Sequence, residues 1–179
     1  MKLRVSAGKL GGLKFDAPRG NKTHPMSEKI RMALFNMLGD IKGLTVLDAY
    51  SGSGALAFES ISRGAKHVYA VEKDNAAYIT IKENKESLHI GDELKVSIAN
   101  ISSWLKTNDL KYDIIFCDPP YNDVKVRHLQ RIQSYVKDGG LLVVSLPTAI
   151  VNDVLEELDD VKHLTTKEYA NASIVILKK

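Results

Sequence analysis

Thr45 to Glu59 reads TVLDAYSGSGALAFE, a strand, a glycine-rich turn and a helix start in unbroken succession. Thr45, Val46 and Leu47 are β-prone, and Asp48 stands where a parallel strand would end. Ser51-Gly52-Ser53-Gly54 supplies a tight turn whose glycines let another molecule come close to the backbone. The helix expected from Ala55 presents its first N–H groups to that turn as unpaired donors, a place for a polar or anionic ligand. Gly52, Gly54 and Ala57 fit a loose G-x-G-x-x-A spacing, which small residues packing a helix onto a sheet also produce.

Two features downstream narrow the reading. His67 to Val71 (HVYAV) is followed by Glu72, twenty positions after Gly52, where an acidic side chain in a strand–helix–strand unit accepts hydrogen bonds from a ribose. Tyr112 to Cys117 (YDIIFC) runs into Asp118-Pro119-Pro120-Tyr121. A strand followed by DPPY is far more specific than glycine spacing and favours S-adenosyl-L-methionine over NAD as the ligand.

Around these motifs the pattern predicts an α/β doubly wound sheet. Strands are expected at Thr45 to Leu47, His67 to Val71, Lys95 to Ile98, Tyr112 to Cys117, Gly140 to Leu146, Leu164 to Glu168 and Ser173 to Leu177. Helices are expected at Ala55 to Arg63, Asn75 to Ser87, Ile101 to Leu105, Val124 to Val136 and Ala149 to Leu158. The short turn Tyr169 to Ala172 makes the last two strands an antiparallel pair at one edge. At the front, residues 3–15 alternate apolar and polar side chains around Gly8, Gly11 and Gly12, a small β-hairpin outside the main fold. A connector from Asp16 to Pro25 follows, and Ser27 caps a helix over Glu28 to Leu38. This divides the chain into a basic hairpin and connector, 1–25, and a main domain, 26–179.

The 179 residues, 44% apolar and 26% charged, suit a soluble globular protein. No apolar run approaches the ~20 residues of a membrane span, and MKLRVSAGKL lacks a signal-peptide core, so a cytoplasmic protein is expected. The single cysteine, Cys117, forms no internal disulfide and reads as a small buried side chain, while scattered histidines predict no metal. Residues 1–31 hold eight basic side chains against Asp16 and Glu28, a net of +6 that leaves −3 for residues 32–179. A basic arm on a mildly acidic body suggests a polyanion partner, although a solvated charged segment has the same composition.

The ordered set LDAYSGSGALAFE, AVEKD, IANISSWL and DPPY resembles class I S-adenosylmethionine-dependent methyltransferases that modify exocyclic amines. RVSAGKLGGLKF followed by HPMSEKIRMALFNML is similar to the N-terminal signature of the RsmD family, bacterial methyltransferases of the guanine N2 amine in small-subunit (16S) ribosomal RNA. The resemblance covers almost the whole chain. It departs from the family at His24, Glu28 and Lys29, where Arg, Asp and Arg are usual, and at Asn100, where many relatives carry Asp. It implies a Rossmann-like seven-stranded sheet with its last strand antiparallel, S-adenosyl-L-methionine as cofactor, and ribosomal RNA or the small-subunit particle as partner.

The resemblance also implies roles. Asp118 and the Pro119 carbonyl accept the amine hydrogens, and Tyr121 stacks on the base. Asp48, Gly52 and Gly54 surround the methionine part of the cofactor, Glu72 takes the ribose, and Asn100 and Ile101 hold the adenine. Arg4, Lys9, Lys14, Lys22 and Arg31 are the expected contacts to RNA. Glu72 as a solvated strand end, Asn100 as a helix cap and Trp104 as plain packing are the competing readings. DNA adenine-N6 methylation, or RNA binding without catalysis on the same scaffold, remains an alternative function.

Overall fold

Val46-Leu47, Ala70-Val71, Ile114 to Cys117 and Leu142 to Leu146 are short runs that are buried almost completely. Strands buried on both faces belong to sheets covered by helices, with parallel order. The computed structural model of the protein describes residues 1–18, 26–170 and 172–179; Lys22, His24 and Pro25 of the expected connector lie outside them, as does Asn171. Seven strands form one sheet: β3 (Thr45–Asp48), β4 (His67–Glu72), β5 (Leu94–Ile98), β6 (Tyr112–Cys117), β7 (Val136–Pro147), β8 (Lys162–Tyr169) and β9 (Ala172–Lys178), in the order β5-β4-β3-β6-β7-β9-β8. The last strand, β9, is antiparallel to both its neighbours. A separate two-stranded hairpin pairs β1 (Lys2–Arg4) with β2 (Lys14–Asp16). Among the described residues no helix is long and apolar enough to cross a membrane.

The chain divides into two compact units, Met1–Ile101 and Ser102–Lys179. In the first, β3, β4 and β5 are parallel, in register Asp48↔Ala70 and Glu72↔Ile98. Helix α1 (Glu28–Leu38) starts where Ser27 Oγ accepts the Ile30 N–H at 3.3 Å. Helix α2 (Ala55–Ser62) is buried along its entire length, and α3 (Asn75–Ser87) is capped by Asp74, which accepts from Ala76 and Ala77. A helix buried all round needs a partner for each polar side chain, and α2 has them. Ser60 Oγ donates to the Leu56 carbonyl, Ser62 Oγ to the Ala7 carbonyl, and Glu59 accepts from the N–H groups of Ser6 (2.7 Å) and Ala7 (3.2 Å).

These bonds draw the hairpin, expected outside the main fold, onto the body of the first unit. Only its ends are strand; residues 5–13 form a loop that leans on α2 through Lys9 N–H to Ser62 O (2.8 Å) and Leu10 N–H to Ser62 Oγ (2.9 Å). A Cβ at Gly8 would stand 2.0 Å from the Ser62 carbonyl, and its φ of +82° is one that side chains rarely adopt, so glycine is required there. Phe15 meets Phe58 edge-on at 5.0 Å, and Asn84 on α3 both donates to and accepts from the Asp16 backbone.

In the second unit β6 pairs with β7 in parallel, and the β7–β9–β8 ladder is antiparallel as the short final turn predicted. The helix expected at Ile101 to Leu105 forms as α4 (Ile101–Trp104), and that expected at Val124 to Val136 is shorter, α5 (Val126–Gln133), because Val136 already pairs with Tyr112 as the first residue of β7. The register then jumps to Ile114↔Leu141, with Gly139 and Gly140 in the bulge; a Cβ at Gly140 would sit 2.8 Å from the Asp113 carbonyl. The strand expected from Gly140 therefore begins earlier, at Val136, and these glycines bend it. The helix expected at Ala149 to Leu158 opens as a tight turn, Thr148–Ile150, and continues as α6 (Val151–Glu156).

Glu59 also holds a second buried group. Its carboxylate lies 3.4 Å from Arg31 Nε and 2.8 Å from Arg63 Nε, with Arg31 1% and Glu59 0% exposed. Removing one member of a buried pair leaves the other charge uncompensated, which costs about 3 to 5 kcal/mol. Glu59→Gln is expected to lose stability in that range in urea unfolding. A loss below about 1 kcal/mol would show that the carboxylate does not hold the arm and Arg31 in place.

Candidate active site

The first unit gathers the glycine turn and the end of β4. Asp48 is buried at the end of β3, and its carbonyl accepts from Ser51 Oγ at 3.0 Å. Ser51 N–H donates to the Val71 carbonyl on β4, and Gly54 N–H to the Ser51 carbonyl, which closes the turn. Gly52 and Gly54 both have positive φ, +52° and +76°, and Gly54 is the residue from which α2 starts. At Gly54 packing is the stronger reason for glycine: a Cβ would lie 2.8 Å from the Phe58 ring.

Glu72 does more than end a strand. Its Oε2 accepts the Gly52 N–H and its Oε1 accepts the Asp74 N–H, both at 2.7 Å, with the residue 8% exposed. The carboxylate thereby ties the turn after β3 to the turn after β4, using one position on each oxygen. An ionised carboxylate offers about four acceptor positions, so further hydroxyl donors can be taken. Asn100 is exposed and Ile101 buried just after β5, where the Ala99 N–H donates to the Glu72 carbonyl at 2.9 Å.

The second unit carries the DPPY segment at the end of β6. Pro119 is buried, Pro120 is extended (φ −55°, ψ 127°), and Tyr121 opens a short 3-10 turn with 44% of its surface exposed. The Tyr121 hydroxyl lies 2.7 Å from Ser145 Oγ on β7, and Asp118 follows Cys117, which pairs with Val144 beside Ser145. Burial pushes the Asp118 carboxyl up to about 6, against the opposing pull of the nearby Ser145 hydroxyl. Burial also raises the Tyr121 phenol, opposed by Ser145 and reinforced by the Asp118 charge. Ser145 escaped the sequence reading. Its signal is faint: it is the one polar residue in LLVVSL, one step past the Cys117↔Val144 pair of the parallel ladder.

The basic side chains of the arm behave differently from one another. Arg4 and Lys9 are on the surface but paired, Arg4 with Glu28 at 2.7 Å and Lys9 with Glu93 at 3.3 Å; Arg4 holds the Glu28 carboxyl below the usual range. Lys14 is exposed on β2. Arg31 corrects the expectation of an RNA contact. Its guanidinium is buried and donates to the carbonyls of Arg4 (2.5 Å) and Met26 (3.3 Å), to Ser6 Oγ and to Glu59, so it is an internal brace. It lies between Ile30 and Met32 on α1, and its own charge gave no hydrophobic cue for burial.

The family described as conserved hypothetical protein 95 matches residues 3–178. Ribosomal RNA small subunit methyltransferase D of Buchnera aphidicola (subsp. Acyrthosiphon pisum) is 35% identical over 148 residues, which cover 80% of this chain and 77% of that protein. The solved putative methyltransferase yhhF of Escherichia coli covers 100% of this chain and 98% of its own, with a TM-score of 0.87 at 23% identity. SMU.776, a putative methyltransferase complexed with SAH, covers 84% of this chain and 48% of its own, with a TM-score of 0.72 at 17% identity. At such identities the two structures show likeness of fold.

Asp118 links the site to stability. A carboxyl raised above its unfolded value of about 3.9 is bound more weakly by protons in the unfolded chain, so the native state loses stability as pH rises from about 4 through about 6. Asp118→Asn removes the buried charge. The variant is expected to match the wild type in thermal midpoint at pH 4 and to exceed it at pH 8; equal midpoints at both pH values would contradict the burial of this carboxylate.

Proposed function

The chain belongs to the RsmD family of ribosomal RNA methyltransferases, and on that premise we propose that it transfers a methyl group to the exocyclic N2 amine of a guanine in small-subunit (16S) ribosomal RNA. Asp118 carries most of this reading: a carboxyl raised by burial, placed between the end of a buried strand and a surface tyrosine that is itself tied to a buried serine. The reading takes S-adenosyl-L-methionine as methyl donor, and when bound this cofactor supplies an electrophilic sulfonium methyl. The Glu72 carboxylate fits its ribose, because each oxygen keeps a further acceptor position after taking one backbone N–H. The buried Asp48 and the glycine turn suit the amino-acid portion, and Asn100 and Ile101 suit the adenine.

An exocyclic amine is a weak nucleophile because its lone pair is delocalised into the base. Asp118 and the Pro119 carbonyl accept its two hydrogens, orient the nitrogen and stabilise the positive charge that develops as the new bond forms. Tyr121, half-exposed, provides a stacking surface worth about 1 to 3 kcal/mol per base. A carboxyl that titrates near 6 is mostly ionised at neutral pH yet more basic than an ordinary aspartate, so it can also receive the proton released by the methylated amine. Alignment is the main contribution asked of the protein, up to ~7 to 11 kcal/mol. A base in structured RNA must be unpaired or flipped out to be reached.

Arg4, Lys9, Lys14 and Lys22 are the proposed phosphate contacts. Exposed ion pairs such as Arg4–Glu28 and Lys9–Glu93 stabilise little, so phosphates can displace their acidic partners. A ribosomal RNA substrate, free or in the small-subunit particle, fits a cytoplasmic protein. Nucleoside mass spectrometry on ribosomal RNA and DNA from cells with and without the gene tests the proposal. Loss of N2-methylguanosine from 16S RNA is expected. An unchanged RNA profile contradicts it, and loss of N6-methyladenine from DNA would favour the adenine reading instead.

A further inference from the structure

Positive charge outside the arm is not evenly spread. In the second unit ten lysines and arginines stand against eleven acids, a net of −1, yet residues 121–135 (YNDVKVRHLQRIQSY) hold Lys125, Arg127 and Arg131 against Asp123 alone, a net of +2. These charges follow the DPPY segment directly. Helix α5 buries Leu129, Ile132 and Gln133, and Gln133 donates to the Asp159 carboxylate at 2.9 Å. Arg127 and Arg131, four residues apart, therefore share the opposite side of the helix, the first exposed and the second half-buried. Among the described residues neither guanidinium has a hydrogen-bond or ion-pair partner. Acids close by in the fold are engaged with other side chains: Asp123 pairs with Lys125 at 3.2 Å, and Glu157 accepts from Gln130 at 3.3 Å. Like charges four apart on a helix are mildly destabilising, so the helix itself gives no reason for this pair of arginines.

We infer that the outer side of α5, with Lys125, Arg127 and Arg131, is a second RNA contact, which holds phosphates of the nucleotides flanking the target base. The inference rests on the proposed RNA methylation and adds a surface to it. Tyr121 explains the location. Its ring is 44% exposed and its hydroxyl lies 2.7 Å from Ser145 Oγ, so the proposed stacking platform is fixed to the unit that carries α5. The Asp123 N–H donates to the Pro120 carbonyl at 2.8 Å, which folds the chain into the 3-10 turn and keeps the start of α5 near Tyr121. Val126 is five residues on from Tyr121, a reach of about 17 Å at full extension and less with the turn in place. A nucleic-acid strand carries one charge about every 3.4 Å of helix axis, so a base on Tyr121 brings phosphates of its neighbours within that span. An aromatic platform beside a basic track is how single strands are held without reading their sequence. The planar fork of an arginine matches a phosphate, and the exposed Asp123–Lys125 pair is weak enough for a phosphate to displace the acid.

The test compares the double variants Arg127→Ala with Arg131→Ala, and Arg127→Lys with Arg131→Lys, against the wild type. Binding of labelled 16S RNA is followed as a function of salt. Removing two phosphate contacts to a single strand is expected to flatten the slope of log affinity on log salt by about 1.4 and to weaken binding about tenfold at physiological salt. The lysine pair keeps both charges and is expected to retain most of the slope. In methyl transfer the alanine pair is expected to raise KM for RNA by the same factor, with calorimetric affinity for S-adenosylhomocysteine and the thermal midpoint close to wild type. A folded alanine variant with the wild-type salt slope and KM overturns the inference and leaves guanine methylation standing, with α5 a solvated charged face. An equal loss in the lysine pair would assign the effect to packing and overturn it as well. A slope flattened by the alanine pair, in a protein whose wild type transfers no methyl to RNA, overturns the functional reading and leaves the RNA-binding surface standing.

Discussion

The hydrogen bond from the Gly52 N–H to the Glu72 carboxylate is the constraint on which the first unit of the structure depends. It joins two turns twenty residues apart, and it can form because β3 and β4 run parallel in a register that sets Asp48 opposite Ala70. A charge-assisted bond of this kind contributes about 1.5 to 3 kcal/mol. With the matching bond from Asp74, it fixes the loop before α2 and the loop before α3 to a single side chain. The far end of α2 is held by another carboxylate, Glu59, so the helix that begins at the glycine turn is pinned at both ends. The basic arm, drawn onto α2 by the same Glu59, is thereby part of the scaffold that presents the turn.

Much of this was legible in the sequence, for reasons that can be separated. The strand–turn–helix of residues 45–59, the acidic end of β4 and the DPPY segment are local patterns whose meaning is carried by period and spacing, and the elements formed where those patterns lie. Helix and strand ends were less legible: Val136 was read as the end of a helix because the bulge at Gly139 and Gly140, which lets a strand begin earlier, depends on pairing with Tyr112 and Asp113. Arg31 looked like its neighbours on a basic segment. Its burial depends on Glu59 and on the Arg4 carbonyl, partners 28 and 27 residues away, and no local rule connects them. Ser145 was hidden for the same reason, since its hydrogen-bond partner Tyr121 lies 24 residues away. Glu72 was read as a ribose acceptor at the end of a strand, and its backbone bonds to Gly52 and Asp74 emerged only from the fold.

On the proposed chemistry, Asp118 sets function against stability in this chain. A carboxylate in a desolvating position is unfavourable for the folded state at neutral pH, and an asparagine would be tolerated better. The nearby Ser145 hydroxyl offsets part of that penalty, and the proposed chemistry asks for a group that is basic enough to serve an amine and ionised enough to accept its hydrogens. Local departures from the most stable choice are expected where a protein does its chemistry, and here the departure coincides with the most specific motif in the sequence.

The most direct measurement is single-turnover transfer of labelled methyl from S-adenosyl-L-methionine to 16S ribosomal RNA, at saturating cofactor, by the wild type and Asp118→Asn. The substitution keeps size but turns an acceptor oxygen toward a donor, so a loss of about 10² to 10³ in rate is expected with cofactor affinity intact. A folded Asp118→Asn protein that transfers methyl at close to the wild-type rate would contradict the assignment of Asp118 as the amine acceptor.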